Sequence, residues 1–367
     1  MALNSSSNAT LVTTENFTSA ETERCPSLTE DKLEVKIIKI LAYSIVLIVS
    51  VFGNSVIIAT VIKNRRMQTT VNYLIANMAA SDLFISVFAV PMKISEIVEG
   101  PRRWLIEGSL GLIFCQLIYF FQDISLVVSI QSLVVIAVDR YRAIVFPYRP
   151  AIITPKRCKI VIALVWVASM SLHSIYFFII RLTSNNNTTY CIFSWEPKMF
   201  SDPKKAEEDY AVAVLVLAVI APFLTLALLY TRIIRSLRIQ GLTIYSKSTV
   251  QLRIYKENVK VIANICTIVI VFALCVLPLF VYGMLFYFVW KWEMPCNMNQ
   301  LGFAVHFVLF SNAAITPLIY FVFNDKYRRG LQQVLNQVQF CRKDRDDNID
   351  ANEICLNNRN ANSEMTA

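Results

Sequence analysis

Seven stretches of the chain are apolar without the polar face that an amphipathic helix shows every turn: 40–62, 73–92, 111–138, 160–180, 210–230, 261–287 and 301–323. Each reaches the roughly 20 residues a helix needs to cross a bilayer. A helix packed against a soluble core would interrupt such runs with charges every third or fourth residue. Here the only charged side chains inside the runs are Asp82 in the second and Asp123 in the third. The pattern predicts an all-α bundle of seven transmembrane helices over 37–323. After the last run, Phe323, Tyr327, Leu331 and Leu335 recur at every fourth position. That spacing predicts a short amphipathic helix over 324–341 lying on the membrane surface. Residues 342–367 are rich in Asn, Asp and Glu and are expected to be disordered, and 1–36 form a polar tail. The β-branched and aromatic stretch 188–193 predicts a short hairpin in the connection between the fourth and fifth runs.

Charge orients this bundle. The chain is 56% hydrophobic and 17% charged, against about 25% charged in soluble domains. Its net charge of +9 is topological, which argues against a nucleic-acid partner. Lys and Arg gather in alternate connections: after the first run (Lys63, Arg65, Arg66), after the third (Arg140, Arg142, Arg149), between the fifth and sixth (Arg232 to Lys260) and after the seventh. Basic connections stay in the cytoplasm, so the amino end is expected outside. The N-x-Ser/Thr acceptors Asn4, Asn8, Asn16, Asn186 and Asn187 all fall on that external side, an agreement independent of the charge rule. No cleavable signal peptide is expected at the amino end; the first span directs insertion. Of nine cysteines, Cys25, Cys115, Cys191 and Cys296 face the oxidising side, and four cysteines allow three pairings. Cys341, at the end of the amphipathic helix, is a palmitoylation candidate that would tie it to membrane lipid. The two histidines, His173 and His306, have no nucleophile or metal spacing near them, so no enzyme is expected.

Asp82 is costly at mid-membrane without a cation or donors, and marks a functional site. Asn54 and Asn312 stand at a similar depth. At the inner end of the third run the chain reads Asp139-Arg140-Tyr141. With Asn54, Asp82, Trp166, Pro222, Tyr230, Phe272, Pro278, Pro317 and Tyr320 in order along the other runs, the chain resembles a rhodopsin-like (class A) G-protein-coupled receptor. The resemblance implies that Asp139 holds Arg140 until activation frees it for a heterotrimeric G protein. Tyr230 and Tyr320 would then swing inward, with Pro147 and Tyr148 in the docking loop. It implies a relay through Ile130, Pro222, Phe272, Val276, Pro278, Thr316 and Pro317 that moves the sixth helix outward. It also implies a polar pocket of Asn54, Asp82, Ser129 and Asn312 for an allosteric sodium ion, the only cofactor, and arrestin as a further partner. Cys115 and Cys191 match the family's disulfide, and Cys25 with Cys296 a second bridge as in chemokine receptors. Three positions depart from the family: Val276 replaces a tryptophan, Thr316 an asparagine, and Asn258 an acid, with Glu257 beside it.

For the ligand, Gln122 stands where amine receptors carry an acid, and Phe310 where opsins carry a lysine. Gln122 with His306 resembles a pair in receptors for amidated neuropeptides, of the neuropeptide FF, neuropeptide Y and orexin groups. A Gln offers both donor and acceptor to a terminal amide. Asp123, Trp195 and Phe280 complete the expected ligand set, and the acidic run Glu207-Glu208-Asp209 would suit a basic peptide. The expectation is a plasma-membrane neuropeptide receptor. A lipid or metabolite ligand is the alternative within the family, and a polytopic transporter the alternative outside it.

Overall fold

The computed structural model describes residues 31–150, 152–185, 188–196, 200–242, 248–293, 295 and 298–347, with the side chains of 299 and 337–347 excepted. Asn4, Asn8, Asn16, Cys25, Asn186, Asn187 and Cys296 lie outside the described residues, as does the Cys341 side chain. Helices run over Leu33–Lys63 (α1), Thr70–Glu99 (α2), Gly108–Val145 (α3), Pro155–Ile179 (α4), Pro203–Leu242 (α5), Thr249–Val289 (α6), Met298–Phe323 (α7) and Asp325–Asp347 (α8). Among the described residues, seven helices are long and apolar enough to cross a membrane. Most extend past the apolar runs, because their polar end turns continue the helix beyond the hydrocarbon. α8 likewise runs to Asp347, six residues beyond the expected end at 341, so 342–347 are helical rather than irregular.

Local chemistry sets the ends. Thr154 and Asp202 cap α4 and α5 by accepting from the backbone N–H of Arg157 (3.4 Å) and Lys205 (3.2 Å). Pro155 and Pro203 follow in the first helical position, where the missing N–H costs nothing. Pro278 and Pro317 sit inside α6 and α7. Single π-helical turns interrupt α2 at Ile85–Ala89, α5 at Leu215–Ile220 and α6 at Leu285–Val289. Such turns re-aim the side chains that follow and recur at functional sites.

The outer surface is apolar, and polar groups sit within the largely apolar interior. Ile38, Leu41, Ile45 and Ile48 of α1 point outward. Buried among the interior's apolar side chains are serines, asparagines and one acid, including Ser50, Asn54, Asn77, Ser81, Asp82, Ser86, Ser129 and Ser132. α3 packs against α2, α4 and α5 and forms the central post. Gly53 permits a close approach of α1 to α7, since a Cβ there would lie 2.7 Å from Pro317 Cβ and Cγ.

At one end of the bundle, β1 (Arg103–Trp104), β2 (Ile180–Asn185) and β3 (Thr188–Phe193) form an antiparallel sheet in the order β1-β3-β2. The expected hairpin is β2–β3; β1 is an addition that two residues of sequence could not announce. The Cys115–Cys191 disulfide ties β3 to the first turns of α3. The other end carries α8, whose Tyr327 donates to Asn72 Oδ1 of α2 (3.2 Å).

Candidate functional site

Three polar groupings lie along the bundle. In the hairpin half, Gln122 Nε2 donates to Asp123 Oδ1 (3.2 Å), and the Tyr176 hydroxyl of α4 donates to Asp123 Oδ2 (2.5 Å). Gln122 Oε1 is shielded and has no donor among the described residues. The carboxylate of Asp123, an expected ligand contact, is engaged by two neighbouring side chains. On α7, His306 Nδ1 lies 2.7 Å from the carbonyl of Gly302. A carbonyl only accepts, so Nδ1 carries the proton and Nε2 is left as an acceptor. Lys93, Glu96 and Asp123 are all within electrostatic reach of the ring, from the hairpin-side halves of α2 and α3. Lys93 and Glu96 pair with each other at 2.7 Å.

Trp195 is packed rather than presented. It is 9% exposed, with ring centroids 5.1 Å from Phe200 and 5.8 Å from Tyr210, in a cluster with Cys115, Cys191 and Tyr176. In this packing it supports the hairpin. Phe280 is half-buried against Val127, Ala218 and Val219. Glu207 and Glu208 accept from Tyr287 (3.1 Å) and Trp292 Nε1 (2.9 Å), which clasps α5 to α6. Beyond the membrane span, Asp31 accepts from Lys39 (2.6 Å) and Gln300 (2.9 Å). The Lys39 hydrogen bond holds the Asp31 carboxyl below the usual range. A cavity of about 140 Å³ opens between α2, α3 and β1.

At mid-bundle, Asn54 Nδ2 donates to the carbonyls of Ser50 (3.0 Å) and Ala313 (2.9 Å), joining α1 to α7. Ser50 and Ser86 share a hydrogen bond at 2.5 Å, as do Ser81 and Ser129 at 2.8 Å. Asn77 donates to Ser132 (3.0 Å) and accepts from Trp166 Nε1 (2.8 Å). Asp82 is 1% exposed, and neither carboxylate oxygen has a partner among the described residues. Asn312 and Thr316 are buried nearby on α7, but the Thr316 hydroxyl is spent on its own helix, donating to the Asn312 carbonyl (2.9 Å). Ile130, Phe272 and Val276 belong to the large core cluster, and Pro222 is buried on α5. The small Val276 side chain packs there where a large ring was the family's expectation.

At the α8 end, Arg140 donates from Nη2 (2.5 Å) and Nε (3.1 Å) to Asp139 Oδ2. Tyr230 is buried, and its hydroxyl has no partner among the described residues. Tyr320 is buried with its ring 5.4 Å from Tyr327. Tyr141 flanks Phe146 (5.8 Å), which Arg142 and Arg149 also approach, at 5.5 and 5.3 Å. Pro147 is exposed and Tyr148 wholly so. Glu257 accepts from Arg253 (3.3 Å) within α6 rather than reaching toward Arg140. In place of that reach, Lys260 of α6 donates to Asp325 of α8 (3.0 Å). The Lys260 hydrogen bond holds the Asp325 carboxyl below its usual range. Sequence reasoning missed Tyr176, Ser50, Ser86 and the Lys260–Asp325 pair. Only the serines gave a signal, as small polar residues recurring on inward faces.

Three relatives have similar sequences. Neuropeptide FF receptor 2 of Mus musculus is 29% identical over 332 residues, covering 84% of this chain and 74% of the relative. Neuropeptide receptor 22 of Caenorhabditis elegans is 29% identical over 331 residues, covering 87% and 73%. The substance-K receptor of Homo sapiens is 28% identical over 300 residues, covering 79% and 71%. The profile of the 7 transmembrane receptor (rhodopsin family) matches residues 53–320. With seven membrane-crossing helices, a buried acid at their centre and Asp139-Arg140-Tyr141 at the end of α3, the chain belongs to the rhodopsin family of seven-transmembrane receptors, and is a receptor rather than an enzyme.

Proposed function

We propose that this chain is a plasma-membrane receptor, amino end outside, that binds an amidated neuropeptide from the hairpin side and signals to a heterotrimeric G protein on the α8 side. The observation that carries the reading is the half-buried polar pair in the hairpin half of the bundle, Gln122 on α3 and His306 on α7, with the carboxylate of Asp123 bound to Gln122 and within electrostatic reach of the His306 ring. Relatives that include a neuropeptide FF receptor and a substance-K receptor support it. Gln122 lies 18 residues above Arg140 on α3, about 27 Å along the helix axis. No contact spans that distance, so the ligand acts by shifting a two-state equilibrium of the bundle. Ligand contact on α3, α6 and α7 repacks Ile130, Phe272 and Val276. α6 pivots outward at Pro278, Arg140 leaves Asp139, and Tyr230 and Tyr320 fill the opening, with Pro147 and Tyr148 against the G protein. Arrestin docks on the same opened face.

The Asp82 carboxylate, buried with both oxygens unpartnered, fits a small cation, since such a charge is otherwise strongly disfavoured. Ser129, whose hydroxyl shares a hydrogen bond with Ser81, and Asn312 would be its neutral oxygen ligands. Sodium there would hold the resting bundle together.

The test is a surface-verified cell assay of calcium release through a promiscuous G protein, with a library of amidated neuropeptides applied. A response lost in Arg140→Ala and Gln122→Ala at equal surface expression is expected. A response that survives Gln122→Ala unchanged would move the ligand elsewhere, and silence toward the whole library would favour a lipid or metabolite.

A further inference from the structure

The cavity between α2, α3 and β1 lies apart from the polar pair of the hairpin half: neither Gln122 nor His306 lines it. Its walls are mostly apolar. They come from Met92 of α2, Ile118 and Tyr119 of α3, and Leu105 and Ile106, which stand exposed between β1 and α3. Its volume of about 140 Å³ compares with an engineered apolar cavity of about 150 Å³ that takes up benzene. A single phenyl-sized group is therefore the filling that fits.

Charge decides what that group carries. Three ionic side chains line the cavity: Glu96, Arg102 and Arg103. Glu96 is neutralised by Lys93 (2.7 Å) and Arg103 by Glu99 (3.5 Å). Arg102 has no ion-pair partner among the described residues, so the lining carries one uncompensated positive charge. That charge is within electrostatic reach of Tyr119 on the wall and of Glu207. Glu207 in turn is taken by the Tyr287 hydroxyl (3.1 Å). The backbone of Arg102 is fixed. Its φ of 60° is left-handed, and the Cys191 N–H donates to its carbonyl (3.0 Å). Strained backbone of this kind concentrates at ligand clamps. The Cys115–Cys191 disulfide anchors that strand to α3, so the fold itself holds Arg102 beside the cavity.

From this arrangement we infer that the cavity is a binding site for a small aromatic carboxylate, its ring between α2 and α3 and its carboxylate on the Arg102 guanidinium. A guanidinium suits a carboxylate because its planar N–H donors match the two oxygens. The inference goes beyond the peptide reading and does not rest on it.

The test uses the purified full-length receptor in detergent, with binding followed by ligand-observed NMR at neutral pH. The probes are phenylpropionate, its neutral isostere phenylpropanamide, and propionate, which has no ring. Phenylpropionate is expected to bind, propionate to give no signal, and the amide to bind about 10-fold more weakly, the margin between charged and neutral hydrogen bonds. Arg102→Gln, at an exposed position, should bring the acid down to the level of the amide while leaving the amide unmoved. Arg102→Lys keeps the charge and should keep a preference for the acid. Ile118→Trp fills the cavity and should abolish binding of both aromatic probes, its folding checked by an unchanged melting temperature. A merely structural role for Arg102 would weaken acid and amide together. Equal binding of acid and amide by the wild type, or an acid-to-amide ratio unchanged in Arg102→Gln, overturns the inference. Binding that survives in folded Ile118→Trp, as partition into detergent would, overturns it as well.

Discussion

The molecule holds two carboxylates inside its seven apolar runs, and their surroundings are opposite. Asp82, at mid-bundle, is sealed among helices with serines and asparagines that hydrogen-bond one another and leave both its oxygens without a donor. Asp123, in the hairpin half, has a donor on each oxygen from Tyr176 and Gln122. A buried acid with two donors is a structural group that orients its neighbours. A buried acid with none is a group awaiting a cation or a proton. The burial of an acid in the bundle therefore does not by itself identify a ligand contact; the direction of its hydrogen bonds does.

The contrast breaks first on stability. Asp123→Ala strips the acceptor from two buried donors at once and should cost about 1–3 kcal/mol, read as a lowered melting temperature of the purified receptor in detergent. Asp82→Asn removes an unpaired buried charge and should raise the melting temperature in sodium-free buffer. If both substitutions moved it in the same direction, the two acids would not differ in the way described. A smaller effect sharpens the Asp82 side. Replacing choline with sodium should stabilise the wild type by about 1–2 kcal/mol, as expected for an ion well above its dissociation constant, and should leave Asp82→Asn unmoved. Equal shifts in both proteins would remove the ion from that site.

The smallest expected effect concerns the α8 end, where Glu257 stays within α6 and the Lys260–Asp325 pair is the tie from α6 to α8. Both partners are well exposed, so Lys260→Met should leave stability unchanged while raising basal signalling a few-fold, with the charge swap Lys260→Asp/Asp325→Lys restoring it. The sign of the pH dependence follows from Asp325. Its carboxyl is held below the ordinary value of 3.8 by the Lys260 hydrogen bond. The tie is therefore fully present above that value and is lost only as pH falls through the lowered one. Basal signalling of the wild type should be flat between about pH 5 and 8 on this account; a step in that window would point to another group.

The seven membrane spans, their order and the amphipathic eighth helix were legible in the chain because lipid demands about 20 apolar residues per crossing and satisfied backbones throughout. The pairing of Cys115 with Cys191, one of three arithmetical possibilities on residue counting alone, followed from family resemblance and is present in the structure. The strand β1 and the run of α8 to Asp347 were not legible, since two residues make no pattern and a charged surface helix carries little hydrophobic signal. The neighbours of Trp195 and Asp123 were not legible for one reason: a residue's type states which bonds it can form and not which neighbour takes them. That choice depends on side chains far apart in sequence, Tyr176 for Asp123 and Phe200 with Tyr210 for Trp195. The sequence alone determined which segments enter the membrane, because transfer into lipid is a property of local composition. Only the tertiary structure decided which polar groups are spent on one another and which, like Asp82 and Gln122 Oε1, remain available, because hydrogen bonds saturate one partner at a time.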